Sequence, residues 1–77
     1  MKLLTSKQRE VLSFIIHRQK RAGIPPTVRE IAARLGKSVN NVRQHLRLIE
    51  RKGHIRLIPG KARGIEVVVG FELERDE

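Results

Sequence analysis

The sequence predicts a mainly α-helical domain that ends in a small β-hairpin, in the order helix, helix, helix, strand, turn, strand. Three observations predict this order. Apolar residues recur at helical spacing in three successive segments. Each of these segments starts at a Ser or Thr that suits a helix N-cap. Two short runs rich in Ile and Val then follow, on either side of a turn that contains Gly and Pro. With 77 residues, the chain has room for one domain.

Helix 1 is expected from about Ser6 to about Ala22. Thr5 and Gln8 have the spacing of a capping box, in which each side chain satisfies a free backbone N–H of the other residue. Gly23 suits the left-handed conformation that ends many helices. The helix has one apolar stripe, formed by Val11, Leu12, Ile15 and Ile16.

Helices 2 and 3 are predicted from the same kind of signal. Thr27 and Glu30 form a second capping box at the start of helix 2, and Gly36 ends that helix. Ser38 is the N-cap of helix 3, which closes at Gly53. The residues that keep one face of helix 3 apolar are Val39, Val42, Leu46 and Ile49.

Two short helices joined by a three-residue link that contains Gly are typical of a helix-turn-helix. Strands are predicted at residues 55–58 and 65–69, with a turn at residues 59–64. A hairpin directly after a helix-turn-helix indicates a wing. The predicted fold class is therefore mainly α with a small β-hairpin, a three-helix winged helix-turn-helix. Residues 1–69 form this domain, and residues 70–77 form an acidic C-terminal tail.

The charge is unevenly distributed along the chain, whose formal net charge is +9. Residues 1–65 hold sixteen of the seventeen Lys and Arg residues but only three of the eight acidic residues. Such a basic surface indicates a polyanionic partner, because its self-repulsion is otherwise costly. A merely solvated surface would carry a more even mixture of signs. The acidic tail either keeps the protein soluble or covers basic surface in the free state.

Helix 3 has the chemistry of a DNA major-groove reader. Asn and Gln pair bidentately with adenine, and Arg pairs with guanine. A solvated face would alternate Glu and Lys, but this face has no acid, because Glu50 falls toward the apolar edge. Leu48 is the one apolar residue on the outer side. The polar residues opposite or beside the apolar stripe are Asn40, Asn41, Arg43, Gln44, Arg47 and Arg51.

The predicted wing carries Lys61 and Arg63 at or beside its tip, where they would reach phosphates or a minor groove. Gly60 and Gly64 are expected to let the wing backbone come close to a partner. The ordinary alternative is a solvated turn, since exposed turns commonly carry Lys, Gly and Pro.

The sequence does not contain the residues that several classes of function require. There is no cysteine, the three histidines lack metal-ligand spacing, and no phosphate-binding loop is present. We therefore expect no metal, no cofactor and no enzymatic activity. Only two residues are aromatic, which disfavours a base-stacking RNA surface. No apolar run is long enough to span a bilayer, so we expect no membrane association and a cytoplasmic protein.

Five segments together resemble the N-terminal DNA-binding domain of the LexA repressor family, over roughly residues 1–68. The Gly-x-Pro-Pro-Thr-x-x-Glu-Ile-Ala motif within the second segment is the most specific of them. The segments are Leu4-Thr5-x-x-Gln8-x-Glu10-Val11-Leu12, Gly23-Ile24-Pro25-Pro26-Thr27-x-x-Glu30-Ile31-Ala32-x-x-Leu35-Gly36, His45-Leu46, Lys52-Gly53-x-Ile55 and Ala62-Arg63-Gly64-Ile65.

The resemblance implies a winged helix-turn-helix that binds inverted-repeat operators in double-stranded DNA as a dimer, in the bacterial nucleoid. Base contacts are implied for Ser38, Asn40, Asn41, Arg43 and Gln44. Contacts with the DNA backbone or the groove rim are expected from Arg47, Arg51, Lys61, Arg63, Thr27 and Arg29.

Two departures from the family limit what the resemblance implies. The self-cleaving half, with its Ser–Lys dyad and its stable dimer interface, is not matched. Autoproteolysis is therefore not carried over. We expect a monomer or a weak homodimer through residues 67–73, with pairing promoted by DNA. In helix 3, Arg43 and Gln44 stand where the best-known members have acidic residues, and the preceding turn is one residue shorter. The operator sequence is consequently not implied.

Two alternatives belong to other functional classes. One is a winged-helix adaptor whose basic surface binds an acidic protein, and the other is an RNA-binding winged helix. The lack of acidic residues on the outer face of helix 3 argues against the adaptor.

Overall fold

The computed structural model describes residues 3–68 and confirms the predicted order of elements. A two-stranded antiparallel hairpin follows three helices, so the predicted fold class is confirmed. Val69 and the predicted tail at residues 70–77 lie outside the described residues, as does most of the predicted dimer segment at residues 67–73. The elements are α1 (Ser6–Ala22), α2 (Val28–Leu35), α3 (Val39–Arg51), β1 (Ile55–Leu57) and β2 (Ile65–Val67).

Local capping chemistry determines where the helices begin and end. Thr5 and Thr27 each form a complete capping box, and the Ser38 hydroxyl accepts a hydrogen bond from the third backbone N–H of α3. Gly23 and Gly36 end α1 and α2 in the left-handed conformation, with φ of 79° and 66°. A side chain would be strained at these two angles, so glycine is needed at both positions.

The core lies where the three helices meet the hairpin. The wing takes part in it, because Ile55 of β1 and Ile65 of β2 are buried. No helix within residues 3–68 has both the length and the apolar character needed to cross a membrane. The buried apolar side chains of the helices are Val11, Leu12, Ile15, Ile16, Ile31, Ala32, Val42, Leu46 and Ile49.

The wing is shorter and tighter than the sequence predicts. Its ladder has three residue pairs, and the Ile58 N–H then donates to the Gly64 carbonyl at 2.8 Å. The predicted open backbone at Gly64 is wrong, because this residue is buried inside the hairpin. A Cβ atom there would lie 2.5 Å from the Ile58 carbonyl oxygen. Gly64 therefore allows the wing to close on itself. Gly60, in the turn, is exposed.

Candidate nucleic-acid interface

The outer face of α3 has the composition expected from the sequence. Its Val42 and Ile49 are fully buried, and the opposite side of the helix is exposed. No acidic residue is among the exposed side chains, and Leu48, at 41% exposure, is the only large apolar one. The face offers amide groups and fixed positive charges, which can bind base edges and phosphates. Its exposed members are Asn40, Asn41, Arg43, Gln44, Arg47, Leu48 and Arg51.

Ser38 lies at the entrance of this face and has a structural task. Its Oγ accepts a hydrogen bond from the Asn41 backbone N–H at 3.0 Å, which caps α3. The residue is exposed, and a hydroxyl that accepts one bond can still donate its own hydrogen. Ser38 can therefore cap the helix and contact a ligand at the same time.

Glu50 turns away from the outer face of α3 and contacts the wing. Its Oε2 accepts a hydrogen bond from the Leu57 backbone N–H at 2.8 Å, and the residue is half-buried. The carboxylate thus satisfies a backbone donor of β1. This contact fixes the end of β1 to α3, and it leaves the outer face of the helix without a negative charge.

A groove of about 490 Å³ lies between the start of α2, the wing-facing side of α3 and the hairpin. No acidic residue lines it, and Thr27, at the start of α2, lies on its wall. Since four cations converge on one concave surface, their potentials add and favour an anionic ligand. Arg51, Asn40, Asn41 and Gln44 lie outside the groove. The lining cations are Arg29 of α2, Arg43 and Arg47 of α3, and Lys61 of the wing.

Arg63 is engaged within the protein. Its Nη1 donates to the Pro25 carbonyl and to Glu30 Oε1, both at 2.9 Å, and its Nη2 donates to Glu30 Oε2 at 2.8 Å. This bond from Arg63, with that from the Thr27 backbone, lowers the pKa of Glu30 from 4.5 to about 2. Conversely, Glu30 raises the pKa of Arg63. The DNA contact expected of Arg63 stays a prediction, beside an ion pair that the sequence did not indicate.

Glu30 joins three parts of the molecule. It binds Arg63 of the wing, and it accepts a hydrogen bond from the Thr27 backbone N–H in the cap of α2. The Arg18 guanidinium of α1 lies 3.9 Å from its Oε1. The sequence predicted only the cap. One signal was available, since the first 65 residues contain just three acids, and two of them, Glu30 and Glu50, contact the wing. The few acids of a basic chain are therefore candidates for structural contacts.

Residues 3–68 contain no group of three His, Asp or Glu side chains positioned to hold a metal ion. What the surface presents instead is a set of hydrogen-bond donors, amides and cations on α3, α2 and the wing. These groups suit the recognition of an anionic, base-bearing ligand.

Comparison with known proteins identifies the family. The family model described as the LexA DNA binding domain matches residues 1–64. A LexA repressor from Tolumonas auensis is 47% identical over 78 aligned residues, covering 100% of this chain and 37% of the relative. A LexA repressor from Caldicellulosiruptor saccharolyticus is 52% identical over 68 residues, covering 87% of this chain and 34% of the relative. The chain therefore spans about a third of the length of these relatives.

A solved structure supports the fold independently. A mutant of MepR from S. aureus superposes with a TM-score of 0.71 at 25% identity, over 94% of this chain and 54% of that chain. The match to the family model, over residues 1–64, covers all three helices, β1 and the turn of the wing. The chain belongs to the family of LexA DNA-binding domains.

Proposed function

We propose that this chain binds double-stranded DNA in a sequence-specific manner, as the DNA-binding part of a transcriptional repressor. The observation that carries the proposal is the acid-free outer face of α3, which continues into a groove lined by four cations. An ordinary solvated surface has no reason to exclude carboxylates from one helix face and one groove. The relatives of similar sequence are themselves named repressors.

In the proposed complex, α3 enters the major groove. The first half of a recognition helix usually lies deepest, so the N-terminal half of α3 would meet base edges. Arg43 is the proposed guanine reader, because a guanidinium matches the two acceptors on that base. The adjacent amides suit adenine. The proposed base-contacting residues are Ser38, Asn40, Asn41, Arg43 and Gln44.

The DNA backbone would pass beside α3 and across the groove toward the wing. Duplex DNA carries a negative charge about every 1.7 Å along its axis, so several phosphates would face these cations together. Arg51 lies further along the exposed face and would meet a phosphate or the groove rim. The proposed backbone or rim contacts are Thr27, Arg29, Arg47, Arg51, Lys61 and Arg63.

We propose that the chain is a monomer or a weak homodimer in solution, and that an inverted-repeat operator pairs two copies. A stable interface normally buries about 800 Å² on each partner, a large share of a domain of this size. Sedimentation of the free chain should therefore show mostly monomer at micromolar concentration. A tight dimer at nanomolar concentration would contradict this part of the proposal. Binding to DNA also implies a cytoplasmic, nucleoid-associated protein.

Selection of bound sequences from random duplex DNA is the most direct test. We expect one enriched motif, arranged as an inverted repeat if two copies pair on the DNA. The selected duplex should then compete against an RNA hairpin and an acidic protein for the labelled complex. Displacement by either competitor at equal concentration would favour the RNA-binding or adaptor alternative. Absence of any enriched motif would restrict the function to sequence-independent binding.

A further inference from the structure

Three hydrogen bonds from Arg63 hold the turn of the wing to the start of α2. Both nitrogens of the Arg63 fork bind the two oxygens of Glu30, and Nη1 also reaches the Pro25 carbonyl. Exposed ion pairs usually contribute little, but a bidentate Arg–carboxylate pair fixes both distance and orientation. The two side chains are 39% and 35% exposed, so water reaches the pair only in part.

The position of this pair along the chain is what makes it informative. Arg63 directly precedes Gly64, whose carbonyl closes the hairpin by accepting the Ile58 N–H at 2.8 Å. It also follows Lys61, the wing cation that lines the groove, by two residues. A shift of the backbone at Arg63 would therefore be passed on to the closing hydrogen bond and to Lys61.

The capping box does not explain the charge of Glu30, whose carboxylate faces Arg63 and, at 3.9 Å, Arg18. A carboxylate close to a surface that binds DNA repels phosphates, so its removal should strengthen binding if it had no other task. The capping box does not require the charge, because Gln serves equally well at that position. The α1 capping box of this same chain uses Gln8.

We propose that Glu30 and Arg63 form a latch that holds the wing at the position where Lys61 meets the DNA backbone. The latch comprises the carboxylate of Glu30, the guanidinium of Arg63 and the carbonyl of Pro25. Glu30 is in this sense a positioning residue, since it favours DNA binding although it carries the same charge as DNA. The inference rests on the proposed function and adds to it a residue that the function alone would not select.

Glu30→Gln is the informative variant. Gln can keep the hydrogen bond from the Thr27 N–H through Oε1, so the cap of α2 survives. Its Nε2 then faces Arg63 Nη2, and two donors in contact repel each other. Glu66→Gln is the matched control. Glu66 pairs with Arg56 at 3.2 Å on the strands of the same wing, outside the latch, and its replacement changes the charge equally.

The first measurement needs no DNA. Hydrogen exchange of the Ile58 amide reports opening of the hairpin next to Arg63. The latch predicts severalfold faster exchange in Glu30→Gln than in Glu66→Gln, with α1 amides unchanged in both. Equal Ile58 exchange in the two variants would overturn the latch, whatever the protein binds.

The second measurement is the salt dependence of binding to the selected duplex. Each phosphate contact contributes about 0.9 to the slope of log K against log salt. Glu30→Gln should lower the affinity and reduce this slope by about 0.9, the contribution of one phosphate contact. Glu66→Gln should leave the slope unchanged and tighten binding slightly. Tighter binding by both variants would overturn the positioning role. If the wild type itself shows no preference for duplex DNA, the proposed function fails, while the exchange experiment still decides the latch.

Arg63→Lys separates the latch from a direct phosphate contact. Lysine keeps the charge and binds phosphate well as a point charge, but it cannot form the two-pronged pair. The latch predicts that Arg63→Lys loses affinity and slope as Glu30→Gln does. Binding and slope equal to wild type would mean that Arg63 acts on phosphate alone, and would overturn the latch.

Discussion

The two parts of the proposed interface, α3 and the wing, are held in place in different ways. α3 depends on its own backbone hydrogen bonds and on three fully or almost fully buried side chains, Val42, Leu46 and Ile49. The wing buries Ile55 and Ile65 in the core, and its three-pair ladder is also held by carboxylates from other elements, Glu50 beside Leu57 and Glu30 at its turn. The proposed DNA-binding surface is thus fixed by apolar packing in α3, and by packing together with carboxylate contacts in the wing. We expect that the carboxylate contacts of the wing can be weakened without unfolding the domain.

The largest effect is expected from removing the packing of α3. Ile49→Ala leaves a cavity in a fully buried site and should lower the free energy of unfolding by about 2–5 kcal/mol. A domain of this size has a small margin of stability, so binding to specific DNA and binding to random DNA should be lost together. The exposed neighbour provides the control, since Leu48→Ala should change stability by less than about 0.5 kcal/mol. Urea unfolding of both variants checks this, and similar losses would mean that α3 is not held by its core.

A smaller effect is expected from distorting the wing alone. Gly64→Ala places a methyl group against the Ile58 carbonyl, and such overpacking costs about 1–3 kcal/mol. DNA binding should weaken while α3 stays folded. Lys61→Ala in the same turn should leave the thermal midpoint unchanged and lower the salt slope by about 0.9. Calorimetry and titrations at several salt concentrations check both. An unchanged midpoint for Gly64→Ala would contradict the tight closure of the wing.

Two arginines on the groove side of α3 are expected to differ in what they read. Arg43→Ala should cost about 1–3 kcal/mol on the best site and little on random DNA, because it removes a base contact. Arg47→Ala should weaken binding to both DNAs about equally, as the loss of a phosphate contact does. Both variants are measured on both DNAs at one fixed salt concentration. Equal losses for Arg43→Ala on the two DNAs would assign base reading to Asn40, Asn41 or Gln44.

The smallest effect near neutral pH is expected from protonation of the latch. Because Glu30 accepts hydrogen bonds from Arg63 and from the Thr27 backbone, its folded pKa of about 2 lies below the ordinary 4.5. The unfolded chain binds the proton more readily, so the stabilising contribution is complete above pH 4.5 and is lost as the pH falls toward 2. The Ile58 amide should therefore keep its protection between pH 7 and pH 5. An NMR titration of the Glu30 carboxyl with a midpoint near 4.5 would contradict the pairing.

The sequence was sufficient wherever the determining chemistry is local. Thr5, Thr27 and Ser38 cap helices through residues three positions away, so their effect is visible as a short pattern. The exposed face of α3 follows from the same helical period. Which of its side chains contact DNA stays a prediction, because a helix face shows availability and not the position of a ligand.

The sequence was insufficient where partners lie far apart along the chain. Glu30 and Arg63 are 33 positions apart, and no spacing rule connects them. Gly64 was expected to serve an outside partner, but its place is set by the Ile58 carbonyl across the turn. The helical period predicts that Glu50 lies toward the apolar edge of α3, as it does, but its bond to the Leu57 N–H depends on where β1 passes. These contacts are decided by how the wing docks, which follows from packing of the whole domain.

The separation of buried and exposed sides in α3 has an evolutionary consequence. Asn40 and Gln44 are exposed, and substitutions at such surface positions usually change stability by less than about 0.5 kcal/mol. The base contacts that we propose for these residues can therefore change without compensating mutations elsewhere. Divergence in the proposed recognition can thus be confined to a few codons of one helix, while the buried side of α3 keeps the fold.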